Sequence, residues 1–234
     1  MNLQGKHALI TGGGSGIGLA IAQKLAAQGA QVTITGRRKA VLQAAAGKGI
    51  FPAEMDVTDE AAQKEVIANA VKQHGPVQIC VANAGIAEGR TLQKTQMELW
   101  RKIMATNLDG VYLCSRAVLA ALKLSRGSIV NIASISGLRA STLRVAYGTS
   151  KAGVVHLTQQ FAAEMGEFGI RVNCVAPGPV RTKLAIAVHS QAIIDAYHDA
   201  IPLNRYGSEA EIAEAIVFLG SEKASYITGQ TLAV

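Results

Sequence analysis

Short apolar runs alternate along the chain with longer segments whose apolar residues recur every three to four positions. The apolar runs are nearly continuous, which is typical of strands buried on both faces of a parallel sheet. Seven segments have this character: HALIT, AQVTITG, IFPAEMDV, VQICVANAG, GSIVNIAS, IRVNCVAPG and QTLAV. The pattern therefore predicts a sheet of parallel strands.

The segments between the strands have helical periodicity. They are GIGLAIAQKLAAQG, a stretch from Lys39, residues 59–73, about 97–124, about 146–166, and SEAEIAEAIVFLGS. Strands that alternate with helices predict an α/β fold, a Rossmann-type doubly wound parallel sheet with helices on both faces. In such folds ligands bind outside the carboxyl ends of the strands, so the residues just after each strand are the candidate site residues.

Composition supports one compact domain over residues 1–234. Hydrophobic residues make up 49% of the chain, and no repeat or low-complexity tract interrupts the pattern. The start, Met1 to Lys6, has no leader pattern, and no apolar run approaches the roughly 20 residues needed to span a bilayer. We therefore expect a cytoplasmic protein with no membrane partner.

The charge and the cysteines exclude two further classes of function. The formal net charge is +7, but the basic residues are scattered, so we expect no nucleic-acid partner. Cys80, Cys114 and Cys174 are odd in number and lie in apolar context. This favours buried, reduced thiols, and we expect no metal site.

A cluster of glycines follows the first strand and opens the first helix. Thr11 precedes glycines at positions 12, 13, 14, 16 and 18. Such a turn lets the backbone approach a pyrophosphate, whose charge the helix N-terminus receives. Glycines also form tight turns without a ligand, so the cluster alone indicates dinucleotide binding without deciding it.

Tyr147 and Lys151 stand four residues apart in the segment YGTSK. On a helix this spacing brings both side chains to one face. A lysine ammonium stabilises a phenolate, so we expect Lys151 to lower the pKa of Tyr147 toward the range of acid–base catalysis. The spacing is common in proteins, and its weight depends on context.

The pattern Thr-Gly-x-x-x-Gly-x-Gly resembles that of the short-chain dehydrogenase/reductase family, and the resemblance covers essentially the whole chain. ANAG at 82–85 and PGPVRT at 177–182 are similar to its strand-end motifs, although Ala82 stands where relatives often have a first asparagine. The resemblance implies an NAD(P) site whose residues are Thr11, Gly12, Gly14, Ser15, Gly16, Ile17, Gly18, Arg37, Arg38, Asp56, Val57, Asn83, Ala84, Gly85, Tyr147, Lys151, Pro177, Gly178, Val180 and Thr182.

The same resemblance implies four catalytic residues. Ser134 would hydrogen-bond the reacting oxygen, with Ser136 as its nearby competitor, and Tyr147 would exchange a proton with that oxygen. Lys151 would also hydrogen-bond the nicotinamide ribose. Asn107 would hold a water that links the lysine to bulk solvent; the alternative is a helix kink or cap.

The end of the second strand bears on the choice of cofactor. It reads TITGRR, with no carboxylate to accept the adenosine ribose hydroxyls. Arg37 can offer its guanidinium to a 2′-phosphate, so we expect NADP(H), with NAD(H) possible. Alternatively, Arg37 and Arg38 are solvated, and Arg37 stacks on adenine.

Together these features predict an NADP(H)-dependent oxidoreductase that interconverts a ketone and a secondary alcohol by hydride transfer. The alternatives are an NAD-dependent alcohol or polyol dehydrogenase and a non-catalytic dinucleotide-sensing protein. Residues 182–206 are mostly apolar, include His189, Tyr197 and His198, and are expected to form a lid over a small carbonyl or alcohol substrate.

The resemblance further implies a homotetramer built on the helices at about 97–124 and 146–166. Val154, Val155, Phe161 and Met165 could serve that interface or a monomer's core. We interpret His156 as a core or interface residue and Cys174 as a packing residue. Relatives usually continue beyond TGQTLAV through an Asp-Gly-Gly tail, which would bear on pocket closure or on an interface.

Overall fold

The computed structural model describes residues 3–182, 195 and 201–234, which are built around one seven-stranded sheet. Every pairing between neighbouring strands is parallel. In chain order the strands are β1 (His7–Thr11), β2 (Gln31–Gly36), β3 (Ile50–Glu54), β4 (Val77–Ala82), β5 (Ser128–Ile132), β6 (Arg171–Ala176) and β7 (Thr231–Ala233). Their spatial order is β3-β2-β1-β4-β5-β6-β7, which confirms the doubly wound fold.

Helices cover both faces of the sheet. They are α1 (Gly16–Ala27), α2 (Lys39–Ala45), α3 (Glu60–His74), α4 (Met97–Met104), α5 (Gly110–Ser125), α6 (Val145–Met165) and α7 (Glu209–Gly220). Apolar residues of α1, α2 and α7 form one core cluster with the strands, and those of α3, α5 and α6 pack in another. Since both faces are covered, the central strands have the nearly unbroken apolar sequences noted above.

The order of the strands creates a crevice at the carboxyl edge of the sheet. From β1 the chain builds outward to β3 on one side and then crosses back to place β4 on the other side of β1. The loops after β1 and β4 therefore diverge, which leaves room for a ligand between them. The residues that follow these strands are the ones that the sequence indicated as site residues.

The segment expected to form one helix over about 97–124 is interrupted. A π-helical turn, Ala105–Asp109, separates α4 from α5. Gly110 follows the turn and packs tightly on Val57, which lies just before α3. A Cβ added at Gly110 would lie 2.9 Å from Val57 Cγ2. The contact of Gly110 with Val57 is one that helical periodicity does not encode. Single π-helical turns inside α-helices are frequent at functional sites.

Part of the lid expected over residues 182–206 lies outside the described residues. These are residues 183–194 and 196–200, which include His189, Tyr197 and His198.

The three cysteines are free and buried, as predicted. Among the described residues, no cluster of potential ligands could hold a metal ion, and no helix has both the length and the apolar character needed to cross a bilayer.

Candidate active site

The glycine turn between β1 and α1 is too tight for side chains. A Cβ added at Gly12, whose φ is +66°, would lie 2.9 Å from Ala84 Cα, and one at Gly18 would lie 2.3 Å from the Gly12 carbonyl oxygen. Ser15 makes no side-chain hydrogen bond to cap α1, and the first turn of α1 holds no acidic residue. The N-terminus of α1 can therefore receive a pyrophosphate, as the sequence indicated.

Thr11 and Asn83 join the ends of β1 and β4. The Thr11 hydroxyl accepts hydrogen bonds from the backbone N–H groups of Asn83 and Ala84, both at 3.0 Å. The Asn83 amide in turn donates to the carbonyl oxygens of Thr11, at 3.0 Å, and Gly12, at 3.1 Å. Thr11 is only 2% exposed. These bonds show that the Thr11 hydroxyl supports the turn, as expected, and the contact of Thr11 and Asn83 with the cofactor stays a prediction.

Two arginines lie beyond the end of β2, at the expected adenosine side of the crevice. Arg37 and Arg38 are exposed, and neither forms an ion pair with another described residue. Asp56 is half-buried, and its Oδ1 accepts bonds from the Thr58 amide and hydroxyl, each at 2.9 Å. Among the described residues, the end of β2 thus offers two guanidinium groups without an ion pair to an anionic ligand.

Lys151 is buried directly behind the crevice. It is 4% exposed, and its Nζ donates a 2.7 Å hydrogen bond to the Ile132 carbonyl oxygen. Burial lowers the pKa of Lys151 to about 8, and the neighbouring Cys174 thiol opposes this shift. The Lys151 Nζ lies 5.9 Å from the centre of the Tyr147 ring. The expected lysine and tyrosine therefore share one face of α6.

Burial also governs the pKa of Tyr147, but in the other direction from the one expected. Burial raises the pKa of the phenol, and a hydrogen bond with Ser134 and the positive charge of Arg144 only partly offset it. The net shift is upward, whereas the sequence alone suggested a lowering by Lys151. Of the two candidate serines, Ser134 bonds Tyr147, and its hydroxyl accepts a 3.2 Å bond from the Ser136 amide.

Asn107 lies in the π-helical turn and is fully buried. Its Oδ1 accepts a 2.8 Å hydrogen bond from the Ile86 amide, and its Nδ2 donates to the Ile86 carbonyl oxygen at 2.9 Å. The same Nδ2 donates to the Ser150 hydroxyl at 3.1 Å. The side chain thus ties the loop after β4 to α6, and its role in holding a water stays a prediction.

Gly85 lies where Asn107 and Lys151 come together. A Cβ added at this position would lie 3.3 Å from Asn107 Oδ1 and 3.5 Å from Lys151 Nζ. The predicted catalytic residues therefore come from three separate segments and meet beside the end of β4.

The segment after β6 borders the same region. The Pro177 carbonyl oxygen accepts a 3.0 Å hydrogen bond from the Ile135 amide, so this segment lies beside the turn that carries Ser134. Val180 is 8% exposed and pairs with Gly207, and the Thr182 amide bonds the Val180 carbonyl oxygen at 2.8 Å. The Gly178 amide donates to the Val234 carbonyl oxygen at 2.7 Å.

Three residues of the site escaped the sequence analysis. Gly137 packs on the α6 backbone, where an added Cβ would lie 2.6 Å from the Lys151 carbonyl carbon. Ser150 bridges Asn107 to the Tyr147 carbonyl oxygen, to which its hydroxyl donates at 2.7 Å. Arg144 precedes Tyr147 by three residues, a helical spacing that could have indicated it.

Known proteins resemble this chain along its whole length. The family model described as enoyl-(acyl carrier protein) reductase matches residues 12–234. The 3-oxoacyl-(acyl-carrier-protein) reductase FabG of Escherichia coli is 39% identical over 100% of this chain and 97% of its own length. The corresponding Chlamydia trachomatis protein is 36% identical over 99% of this chain and 96% of its own length.

A solved structure agrees with these matches. It is a protein of Agrobacterium tumefaciens provisionally assigned as a gluconate dehydrogenase, with a TM-score of 0.96 and 29% identity, covering 100% of this chain and 95% of its own. The chain therefore belongs to the short-chain dehydrogenase/reductase family, whose members are NAD(P)-dependent oxidoreductases that act on CH–OH groups and carbonyls.

Proposed function

We propose that the protein is an NADP(H)-dependent reductase that converts a ketone to a secondary alcohol and catalyses the reverse oxidation. The observation that carries the proposal is that Ser134, Tyr147 and Lys151 lie together, with Lys151 beside Gly85 after the end of β4. A non-catalytic dinucleotide sensor would not need this set of groups. All four predicted catalytic residues, including Asn107, are present in this chain.

The proposed chemistry divides between the cofactor and the side chains. NADP(H), held by the residues predicted around the glycine turn, would provide the hydride chemistry at the substrate carbon. In the reductive direction, the Tyr147 hydroxyl gives its proton to the substrate oxygen, and the Ser134 hydroxyl donates a hydrogen bond to the same oxygen. Lys151 holds the ribose hydroxyls. A water near Asn107 carries a proton from solvent to restore the phenol.

The environment of Tyr147 favours the reductive direction at neutral pH. Burial raises the pKa of its phenol, so the side chain stays protonated and can act as a proton donor. Oxidation of an alcohol needs the phenolate instead, and we therefore expect that direction to work best in alkaline solution.

Removal of the phenol hydroxyl tests the catalytic assignment. We expect Tyr147→Phe to lower kcat for ketone reduction by about two to four orders of magnitude, the usual contribution of a general acid. Binding of NADPH, followed by fluorescence titration, should stay near the original affinity. Tyr226→Phe is the matched control, because Tyr226 is fully exposed at the surface. Turnover that survives in Tyr147→Phe would overturn the proposed mechanism.

Arg37 supports the choice of NADP(H) over NAD(H). A guanidinium that bonds a phosphate contributes about 1.5–3 kcal/mol, so we expect Arg37→Ala to weaken NADPH binding roughly 10- to 100-fold. NADH lacks the 2′-phosphate, and its affinity should hardly change. Both affinities can be measured by titration of the purified variants. An unchanged NADPH affinity would show that the cofactor assignment is wrong.

For the substrate we propose a 3-oxoacyl thioester. Two relatives align with this chain over 96–97% of their own length. They are named as 3-oxoacyl-(acyl-carrier-protein) reductases, and that name gives the substrate class. The alternative is a polyol or sugar acid, suggested by the Agrobacterium relative. Nicotinamide absorbance with 3-oxoacyl thioesters plus NADPH, compared with gluconate plus NAD(P)⁺, separates the two.

We propose further that the protein forms a homotetramer through α5 and α6. A groove of about 680 Å³ lies between these helices, and its lining includes Tyr112, Leu113 and Leu157. Acidic Asp109 and basic Arg116 border the same groove, so the face can complement itself in a second copy. Of the residues expected at an interface, Val154 lies in one core cluster with Val155 partly buried against it, while Phe161 and Met165 are partly buried against another.

Light scattering after size exclusion tests the assembly. We expect Leu113→Arg to yield smaller species than the unaltered protein, because it places a second positive charge beside Arg116 in the groove. A monomeric unaltered protein would contradict the proposal.

We place the enzyme in the cytoplasm as one domain over residues 1–234, with residues 182–206 as the substrate lid.

A further inference from the structure

Arg144 lies at the start of α6, one helical turn before Tyr147. It occupies the N-cap position of the helix, and its side chain makes no capping hydrogen bond. Its guanidinium carbon lies over the Tyr147 ring, 5.5 Å from the ring centre. This distance is within the range of a cation–π contact and is slightly shorter than the 5.9 Å from the Lys151 Nζ to the same centre. Two cations therefore flank the ring.

The charge of Arg144 is not neutralised by a partner. No carboxylate among residues 3–182, 195 and 201–234 forms an ion pair with it. The nearby Arg90 differs, since its guanidinium pairs with Glu88 at 2.7 Å. The field of Arg144 therefore acts on the Tyr147 ring without an opposing charge on the guanidinium itself.

The backbone of Arg144 is held from two sides. The Arg90 amide donates a 3.1 Å hydrogen bond to the carbonyl oxygen of Leu143, and the segments at Arg90 and Arg144 form a parallel bridge. On the helix side, the Gly148 amide bonds the Arg144 carbonyl oxygen at 2.6 Å. These contacts fix the point from which the guanidinium reaches the ring.

Three groups in the described part of the chain face the Tyr147 phenol. Lys151 comes from α6, Arg144 is the residue just before α6, and the Ser134 hydroxyl comes from the turn after β5. The Lys151 ammonium is buried and donates to the Ile132 carbonyl oxygen, whose dipole opposes part of the field of its positive charge. Burial itself raises the pKa of Tyr147, so a second cation helps the phenol to give up its proton.

We propose that Arg144 is a positioning residue for the proposed reaction: its guanidinium lies over the Tyr147 ring and stabilises the phenolate that forms when the proton passes to the substrate oxygen. Arg144 itself touches neither substrate nor cofactor in this proposal. It acts through Tyr147, and the proposal rests on the acid–base role proposed above for that residue.

Direct titration of the phenol tests the proposal without any turnover. Carbon-13 labelling at tyrosine Cζ gives five signals, one for each tyrosine of the chain, and the signal lost in Tyr147→Phe is that of Tyr147. We expect Arg144→Gln to move the Tyr147 midpoint upward by about one pH unit, the lower end of the effect of a charge within about 6 Å. Arg144→Lys should keep most of the original value.

Two controls separate a charge effect from a structural one. Arg139→Gln removes a cation from the same loop and the same surface cavity, but the cations that lie over the ring among the described residues are Arg144 and Lys151. Its midpoint should match the unaltered protein. The difference between Arg144→Gln and the unaltered protein should shrink in molar salt, because Arg144 is partly exposed and its field is screened.

An unchanged Tyr147 midpoint in Arg144→Gln would overturn the inference, and so would an equal shift in Arg139→Gln. Neither result would touch the proposed reaction, which depends on the turnover of Tyr147→Phe. Conversely, turnover in Tyr147→Phe would remove the reaction while the titration still reported the effect of Arg144 on the phenol.

Discussion

Lys151 and Tyr147 share a face of α6, and burial acts on both of their charges. For the lysine, burial disfavours the ammonium and lowers the pKa to about 8. For the tyrosine, burial disfavours the phenolate and raises the pKa. The surroundings therefore favour the pair in its uncharged forms, and only specific contacts, such as the bond from Lys151 to the Ile132 carbonyl oxygen, oppose this.

The lowered pKa of Lys151 predicts the alkaline limit of ketone reduction. Below about pH 8 the ammonium form dominates, and above that value the proton is lost. We expect kcat at saturating NADPH to fall as the pH rises through this region, because the neutral amine no longer stabilises the phenolate that Tyr147 becomes when it gives its proton to the ketone oxygen. Lys151→Arg keeps its charge, so its slower reaction should lack this decline. Initial rates across the pH range provide the check, and a level profile well above pH 8 would count against it.

Gly137 predicts a steric effect on the same site. A side chain here would press on the Lys151 carbonyl carbon at 2.6 Å and the Ala152 amide at 2.8 Å, so the Ser134 turn must move away from α6. We expect Gly137→Ala to destabilise the fold by about 1–3 kcal/mol and to lower kcat. Gly166→Ala is the matched control, because an added Cβ at Gly166 meets nothing within 4 Å. Urea unfolding and initial rates of the two variants test this, and equal stability would contradict it.

At the scale of elements, helical periodicity predicted where each helix lies better than where a helix is interrupted. The boundaries expected for α3 and α6 were each wrong by one residue at either end. The segment at about 97–124 was expected to be continuous, but the turn Ala105–Asp109 divides it. Contacts of Asn107 with Ile86 and Ser150 hold that turn, and both partners are distant in sequence. A local pattern carries no information about them.

The end of α7 depends on an arginine from a neighbouring strand. Arg171 of β6 donates to the Leu219 carbonyl oxygen at 2.7 Å and to the Ser221 carbonyl oxygen at 2.9 Å, which satisfies groups that the helix leaves unpaired.

Loss of these bonds should weaken the fold. We expect Arg171→Met, which keeps the apolar stem, to lower the free energy of unfolding by about 2–3 kcal/mol. The exposed Lys64 pairs with Glu60 at the surface, so Lys64→Met should cost less than about 1 kcal/mol. Denaturant titration compares the two variants, and equal effects would argue against the proposed role of Arg171.

For the whole molecule, a buried histidine predicts how stability depends on pH. His7 is completely buried, its Nδ1 lies 2.8 Å from the Gly75 carbonyl oxygen, and its Nε2 lies 3.0 Å from the Thr33 hydroxyl. Burial lowers the pKa of His7 below 6.5; the Gly75 carbonyl opposes this shift, and His74 adds to it.

The unfolded chain therefore takes up a proton at His7 before the folded one does. We expect stability to be retained above about pH 6.5 and to fall as the pH drops below that value. The slope should be smaller in His7→Gln but not in His156→Gln, since His156 is exposed. Free energies of unfolding on either side of pH 6.5 test the sign, and a stability that rises on acidification would refute it.

The sequence by itself determined the doubly wound fold, the glycine turn at the start of α1 and the shared helix face of Tyr147 and Lys151. The fold follows from strands and helices that alternate along the whole chain. The turn and the shared helix face follow from spacing within one short stretch, which local geometry translates directly into structure. The tertiary structure alone decided that burial raises the pKa of Tyr147, that Gly137 touches α6, and that Asn107 braces a π-helical turn. These properties arise between segments far apart in the chain, where packing and desolvation depend on the whole fold.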